Sequence, residues 1–159
     1  MVGWFGRFRR RDDRGASLVE FALIMPLLLI LVIGTVEAAW AFANNLDVRH
    51  GAREGARLVA VNYNPNDTSV GADQRDDIIA EICSRMDLAG SATNTSVEFT
   101  RTGTDVGDAA TVSVFTDHDD MTGFLGAFGN IRLKSSVEIR LEQDADWSLT
   151  SGVDGDPCP

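Results

Sequence analysis

The run Phe21 to Val36, FALIMPLLLILVIGTV, carries no charged side chain, and beyond a single Glu37 the apolar pattern resumes as Ala38-Ala39-Trp40-Ala41-Phe42-Ala43. A helix that is apolar on every side has no polar face to give to water, and a small domain has little room to bury it whole. At ~1.5 Å per residue the uncharged run makes about 24 Å of helix and the stretch to Ala43 about 34 Å, against a hydrocarbon core of ~30 Å. The sequence therefore predicts one membrane-spanning helix, with Glu37 close to the far headgroups. A buried core helix is the rival reading.

Charge is divided by this stretch. Residues 1–15 hold five Arg and two Asp, a net of +3, whereas residues 44–159 hold nine Lys or Arg against twenty Asp or Glu, a net of -11. Basic flanks stay on the cytoplasmic side, which predicts an N-terminus in and an acidic body out. That acidity disfavours nucleic acid as a partner, because phosphate selects basic surfaces. Trp4, Phe5 and Phe8 lie among Arg7, Arg9, Arg10 and Arg11, a composition suited to a leader resting on an anionic inner leaflet.

Gly15 precedes the apolar run, and Glu20 lies at its cytoplasmic edge. Glycine leaves a peptide bond sterically open, either as an idle hinge or as the point a peptidase needs. A carboxylate at such depth is a functional hypothesis by default. Cleavage after Gly15 would make Ala16 a new N-terminal amine, which Glu20 of a neighbouring subunit could neutralise in a bundle of apolar helices. Paired, the two charges are tolerable there; alone, each is costly. The plainer alternative is an interfacial Glu20 that keeps contact with water.

The string Arg14-Gly15-Ala16-Ser17-Leu18-Val19-Glu20-Phe21, with Pro26, Glu37 and the run Asn45 to Arg57 that ends Ala52-Arg53-Glu54-Gly55-Ala56-Arg57, resembles the TadE-like pilus-assembly proteins, which are type IV prepilin-like. The resemblance spans roughly residues 14–61. It implies cleavage between Gly15 and Ala16 by a prepilin peptidase, with Glu20 as the fifth mature residue. It further implies a non-enzymatic structural or assembly subunit of a Tad-type pilus or its secretion machinery. The implied partners are other pilin-like subunits, the inner-membrane assembly platform and lipid, in the bacterial cytoplasmic membrane. A single-span or secreted binding protein, with residues 1–43 as anchor or signal peptide, is the alternative reading.

Leu46 to Tyr63 reads as the same helix continued outside the membrane. Arg49, Arg53 and Arg57 recur every fourth residue and line one face, while Val48, Ala52, Ala56 and Val59 line a second. The Arg stripe could meet lipid phosphate, a neighbouring subunit's carboxylates, or solvent. Gly51 and Gly55 weaken the helix, and their use would be to let another element come close. Glu37 has two readings: a partner subunit's Arg or the headgroups. His50 and Glu54 stand one turn apart.

Asn64-Pro65-Asn66-Asp67 is turn chemistry. Residues 73–89 read as a helix with the stripe Ile79, Ile82, Cys83, Met86 and a stop at Gly90. Val97/Phe99, Val112/Val114 and Val137/Ile139/Leu141 alternate with polar residues, as strands with one solvated face do. The fold class is α+β: a long pilin-like N-terminal helix, then a small extracytoplasmic domain with a helix on a three- or four-stranded antiparallel sheet. The expected segments are a leader, 1–15; the long helix, 16–61; the α+β domain, 62–143; and an acidic tail, 144–159. Cys83 and Cys158, the two cysteines present, are candidates for a disulfide that pins this tail in an oxidising compartment.

The chain offers no nucleophile–base–acid set, no phosphate loop and no metal-ligand spacing, so neither an enzyme nor a cofactor is expected. Asp117-His118-Asp119-Asp120 holds hard oxygens and an imidazole, but its spacing is not that of a calcium loop, and a solvated turn is the preferred reading. Met121, Phe124, Leu125 and Phe128 read as core packing on a short amphipathic helix, with an apolar docking loop as alternative.

Overall fold

The computed structural model describes residues 14–65, 70–86, 92–120, 122–123, 126, 129, 131–150 and 155–159. Residues 1–13 of the leader, Asn66-Asp67, Gly90, and the apolar residues Met121, Phe124, Leu125 and Phe128 fall outside these. Internal contacts divide the chain into two units, Met1–Val36 and Glu37–Pro159. Helix α1, Arg14–Ala60, passes through both.

In the second unit, α1 is amphipathic. Val48, Ala52, Ala56 and Val59 are almost wholly buried, as their spacing requires, whereas Arg49, Arg53 and Arg57 are exposed. Gly51 and Gly55 mark where other elements come closest. A Cβ at Gly55 would stand 2.7 Å from Ile82 Cδ1 and 3.0 Å from Val112 Cγ1, and one at Gly51 would run into the Met86 side chain. The helix propensity lost at these glycines is thus exchanged for close packing of α1 on α2 and on the sheet.

Helix α1 stops at Asn62, which takes a left-handed φ of 51°. The Tyr63 amide donates to Leu58 O at 3.0 Å and the Asn62 amide to Val59 O at 3.2 Å, the paired bonds of a Schellman stop. The Glu142 amide caps Ala60 O at 2.8 Å. The Asn62 side chain then ties three segments: its amide donates to Asp146 Oδ2 at 2.9 Å, and its oxygen accepts from the buried Gln74 Nε2 at 2.9 Å and from the Asp146 amide at 3.2 Å.

Helix α2 is Ala72–Ser84, shorter than the expected 73–89. Its last turn tightens, with the Arg85 amide on Ile82 O at 3.2 Å and the Met86 amide on Cys83 O at 3.3 Å. It buries Gln74, Ile78, Ile79 and Ile82. The apolar stripe therefore takes in Ile78, one residue before Ile79, and Gln74 serves as a polar plug against the α1 stop.

Strands β1 (Ala92–Arg101), β2 (Ala109–His118) and β3 (Ile131–Arg140) form an antiparallel meander, and β4 (Asp156–Pro157) pairs with β1, giving the order β3-β2-β1-β4. Val97 faces Val114, Phe99 faces Val112, and Val112 faces Val137. These residues, with Leu133 and Ile139, make the sheet face that joins the helices in the core. The opposite face is polar but not bare: Ser113 and Ser136 hydroxyls meet at 2.9 Å, and Phe115 is covered by Lys134 Nζ at 4.6 Å and Arg132 Cζ at 5.0 Å from its ring centre.

The C-terminal stretch belongs to this packing. Trp147 is fully buried, edge-on to Phe99 at 5.6 Å, with the Arg101 guanidinium 4.6 Å from its ring. Burial lowers the Arg101 pKa, partly offset by Asp146. Cys83 and Cys158 form a disulfide, with Cα atoms 5.9 Å apart. Gly155, at φ 79°, passes so close to Val97 that a Cβ would stand 2.6 Å from its carbonyl carbon. Only glycine fits both that φ and that contact.

Candidate functional site

The apolar half of α1 is the feature nothing in the packed body requires. Leu18, Val19, Phe21, Leu23, Leu27 and Leu31 are each more than 60% exposed. Among the described residues this is the one helix long and apolar enough to cross a membrane, and none of its most apolar window is buried within the molecule. Backbone groups in hydrocarbon must be satisfied within the segment, which a helix does. Thr35 obeys the same rule, since its hydroxyl donates to Leu31 O at 2.8 Å. Pro26 removes one amide donor from the ladder. Around Gly34 the space is open, so the C-terminal half of the apolar run presents a thin face.

Gly15, Ala16 and Glu20 all lie in the exposed first turns of α1. Ala16 and Glu20 are four residues apart and share a face. The Gly15–Ala16 bond lies in the first turn, where amides lack intrahelical partners and the helix opens most readily.

Glu37 stands elsewhere. It is fully buried, at the start of the second unit, and one of its oxygens accepts from the Thr122 amide at 2.7 Å and the Thr122 hydroxyl at 2.6 Å. The carboxylate is thus held by its own chain, 85 residues away in sequence. Replacing Glu37 by alanine is expected to lower stability by about 1–3 kcal/mol, the range for losing two typical hydrogen bonds. Glu37→Gln, which keeps an acceptor oxygen, should lose less. Thermal unfolding of the full chain in detergent measures both.

One α1 turn pair further, buried Asn44 sets its amide nitrogen 3.1 Å from Nδ1 of buried His118. With Asn44 donating, the ring proton sits on Nε2, which has no hydrogen-bond partner among the described residues. Sequence reasoning missed this pair. Its one signal was Asn44 continuing the buried spacing of Val48 and Ala52. It also corrects the reading of 117–120 as a solvated turn. Asp117 and His118 end β2, Asp117 lies 3.9 Å from Arg132, and Asp120 accepts from the Gly126 amide at 2.9 Å. Among the described residues no three His, Cys, Asp or Glu side chains gather as metal ligands.

The body's cations divide sharply. Arg75 pairs with Asp156 at 3.0 Å and with Asp76, and Arg85 bridges Glu54 and Glu81. The latter holds Glu54 on Arg85, the residue that follows α2. Hydrogen bonding to Glu81 raises the Arg85 pKa, against a smaller desolvation effect. Arg101, Arg132 and Lys134 lie over aromatic rings, and Arg140 donates to Gly107 O at 2.8 Å. Arg49, Arg53 and Arg57 make no ion pair among the described residues.

Residues 15–57 match the TadE-like protein family. The TadE-like stretch is about a quarter of the chain; it begins at Gly15, contains Glu20 and Glu37, and ends on the last Arg of the stripe. It thus coincides with the exposed apolar helix and its aqueous continuation, not with the sheet. No curated protein and no solved structure matches the chain.

Proposed function

We propose that this chain is a non-enzymatic, prepilin-like subunit of a Tad-type surface pilus or of its secretion machinery, assembled through the apolar half of α1. The observation that carries this reading is the TadE-like match falling on an exposed helix that opens with Gly15 and Glu20. The chain is held in the bacterial cytoplasmic membrane with its N-terminus in and residues 62–159 outside. The basic leader supports that orientation. A prepilin peptidase cuts between Gly15 and Ala16. The hydrolysis frees an amine on Ala16, and Glu20 of a neighbouring subunit neutralises it among apolar helices. The partners are other pilin-like subunits and the inner-membrane platform.

The experiment is Glu20→Ala in cells that build the filament. Membrane insertion should be unchanged, because removing a charge from the span makes insertion easier. Recovery of the protein with filament or platform components should fall at least tenfold. Normal recovery would rule out an essential Glu20 pair.

A further inference from the structure

We infer that Arg49, Arg53 and Arg57 form a docking stripe for the acidic surface of a second copy of this chain, in a head-to-tail contact. This deepens the assembly reading above and rests on it only for its biological setting.

Residues 44–159 contain nine Lys or Arg. Six are engaged within the chain, by carboxylates, aromatic rings or a carbonyl. The three without an ion pair among the described residues are collinear on one exposed face of α1. Even their nearest acidic neighbour on the helix, Glu54, is turned away and held by Arg85. A chain with twenty Asp or Glu in this region could have neutralised the stripe from within. Instead, no carboxylate among the described residues pairs with the strip, on a body of net charge -11.

The direction of the stripe selects the occupant. From Arg49 to Arg57 it runs about 12 Å along the helix axis, and Arg57 lies about 21 Å beyond Ala43 at 1.5 Å per residue. Headgroup layers are only ~5–8 Å deep on each side of the hydrocarbon. The stripe, about 12 Å long, is longer than one such layer is deep, so a single layer of lipid phosphate crossed by this helix does not serve all three. A surface that follows the axis serves all three, and the exposed carboxylates of another copy, such as Asp73, Asp105 and Glu142, supply the complementary charge. Stripe cannot face stripe, since like charges repel. The contact therefore joins two different patches, and such heterologous contacts propagate into rings or filaments rather than closing as a two-fold dimer.

The test uses the full chain in vesicles of pure phosphatidylcholine, with energy transfer between copies carrying C-terminal donor and acceptor dyes. Self-association should weaken as salt rises from 50 to 500 mM. It should fall at least tenfold in R49E/R53E/R57E, and also in the uncharged R49Q/R53Q/R57Q, which guards against a folding defect in the first. Adding the reversed variant to wild type should cap growing oligomers, because that variant keeps its exposed carboxylates and has lost its stripe. Association that ignores salt and all three changes would overturn the inference. So would a loss seen only when phosphatidylglycerol is present, which would assign the stripe to lipid phosphate. The pilus reading fails separately: a chain that keeps Met1 in cells and still self-associates through the stripe refutes processing and leaves the docking stripe standing.

Discussion

Replacing Trp147 by alanine should destabilise the body by about 3–5 kcal/mol, the range for removing a large aromatic from a packed core. Trp147 is fully buried, and its loss would strip the edge-on partner from Phe99 and the ring from beneath Arg101. Arg101 also donates to Trp147 O, so the guanidinium depends on this segment twice. Trp147→Phe is the informative companion. The indole Nε1 is buried without a hydrogen-bond partner among the described residues, a cost of roughly 1–3 kcal/mol. Phenylalanine removes that orphan donor while keeping an aromatic face, so its net loss should be well under half that of alanine. Chemical denaturation of the full chain in detergent, followed by far-UV circular dichroism, gives both values. An alanine variant within 1 kcal/mol of wild type would mean that the tail does not hold the core.

Opening the Cys83–Cys158 disulfide should cost about 2–4 kcal/mol, since it closes a loop of 75 residues. The effect has a definite address. β4 pairs with β1 through Pro157 and Asp156, the Cys158 amide donates to Thr95 O at 2.9 Å, and Asp156 is bound to Arg75. Each link is short and lies on the sheet edge, so without the covalent tie they open together. Cys158→Ser should therefore be trimmed at its C-terminus by carboxypeptidase while Trp147 stays protected. Equal melting temperatures with and without reductant would contradict this.

Local pattern was enough for the features that depend on local spacing. The uncharged run before Glu37 could only be a span or a wholly buried helix. The alternation around Val97, Val112 and Val137 marks the sheet face that the core uses. The Val48–Val59 face, and the glycines beside it, described the packed side of α1 because helical periodicity is itself a three-dimensional statement. What lay beyond reach were contacts made across long sequence distances. Nothing near Glu37 names Thr122, and nothing near Asn44 names His118. The Asn62 hub combines a helix stop with Gln74 and Asp146, and no periodicity encodes that meeting. Helix α2 ended at Ser84, where the last turn tightens beside the Cys83–Cys158 bond. Local propensity does not see that tertiary constraint. In the candidate site, Gly15, Ala16 and Glu20 were singled out by residue type and spacing, and the roles above are proposals. The roles proposed for them need a peptidase and a neighbour, which lie outside any single chain.

Asn44–His118 and Glu37–Thr122 give the body a second, polar grip on α1, distinct from its apolar packing. The apolar span therefore leads into a segment fixed to the sheet through both kinds of contact.

The central claim is that the apolar helix is a processed assembly element and not a plain anchor. The direct measurement is the N-terminal residue and intact mass of the protein taken from native membranes with active prepilin peptidase. The account predicts a chain that starts at Ala16 and retains the Cys83–Cys158 bond. A chain that starts at Met1, or at Asn44 after loss of the whole apolar stretch, would contradict it.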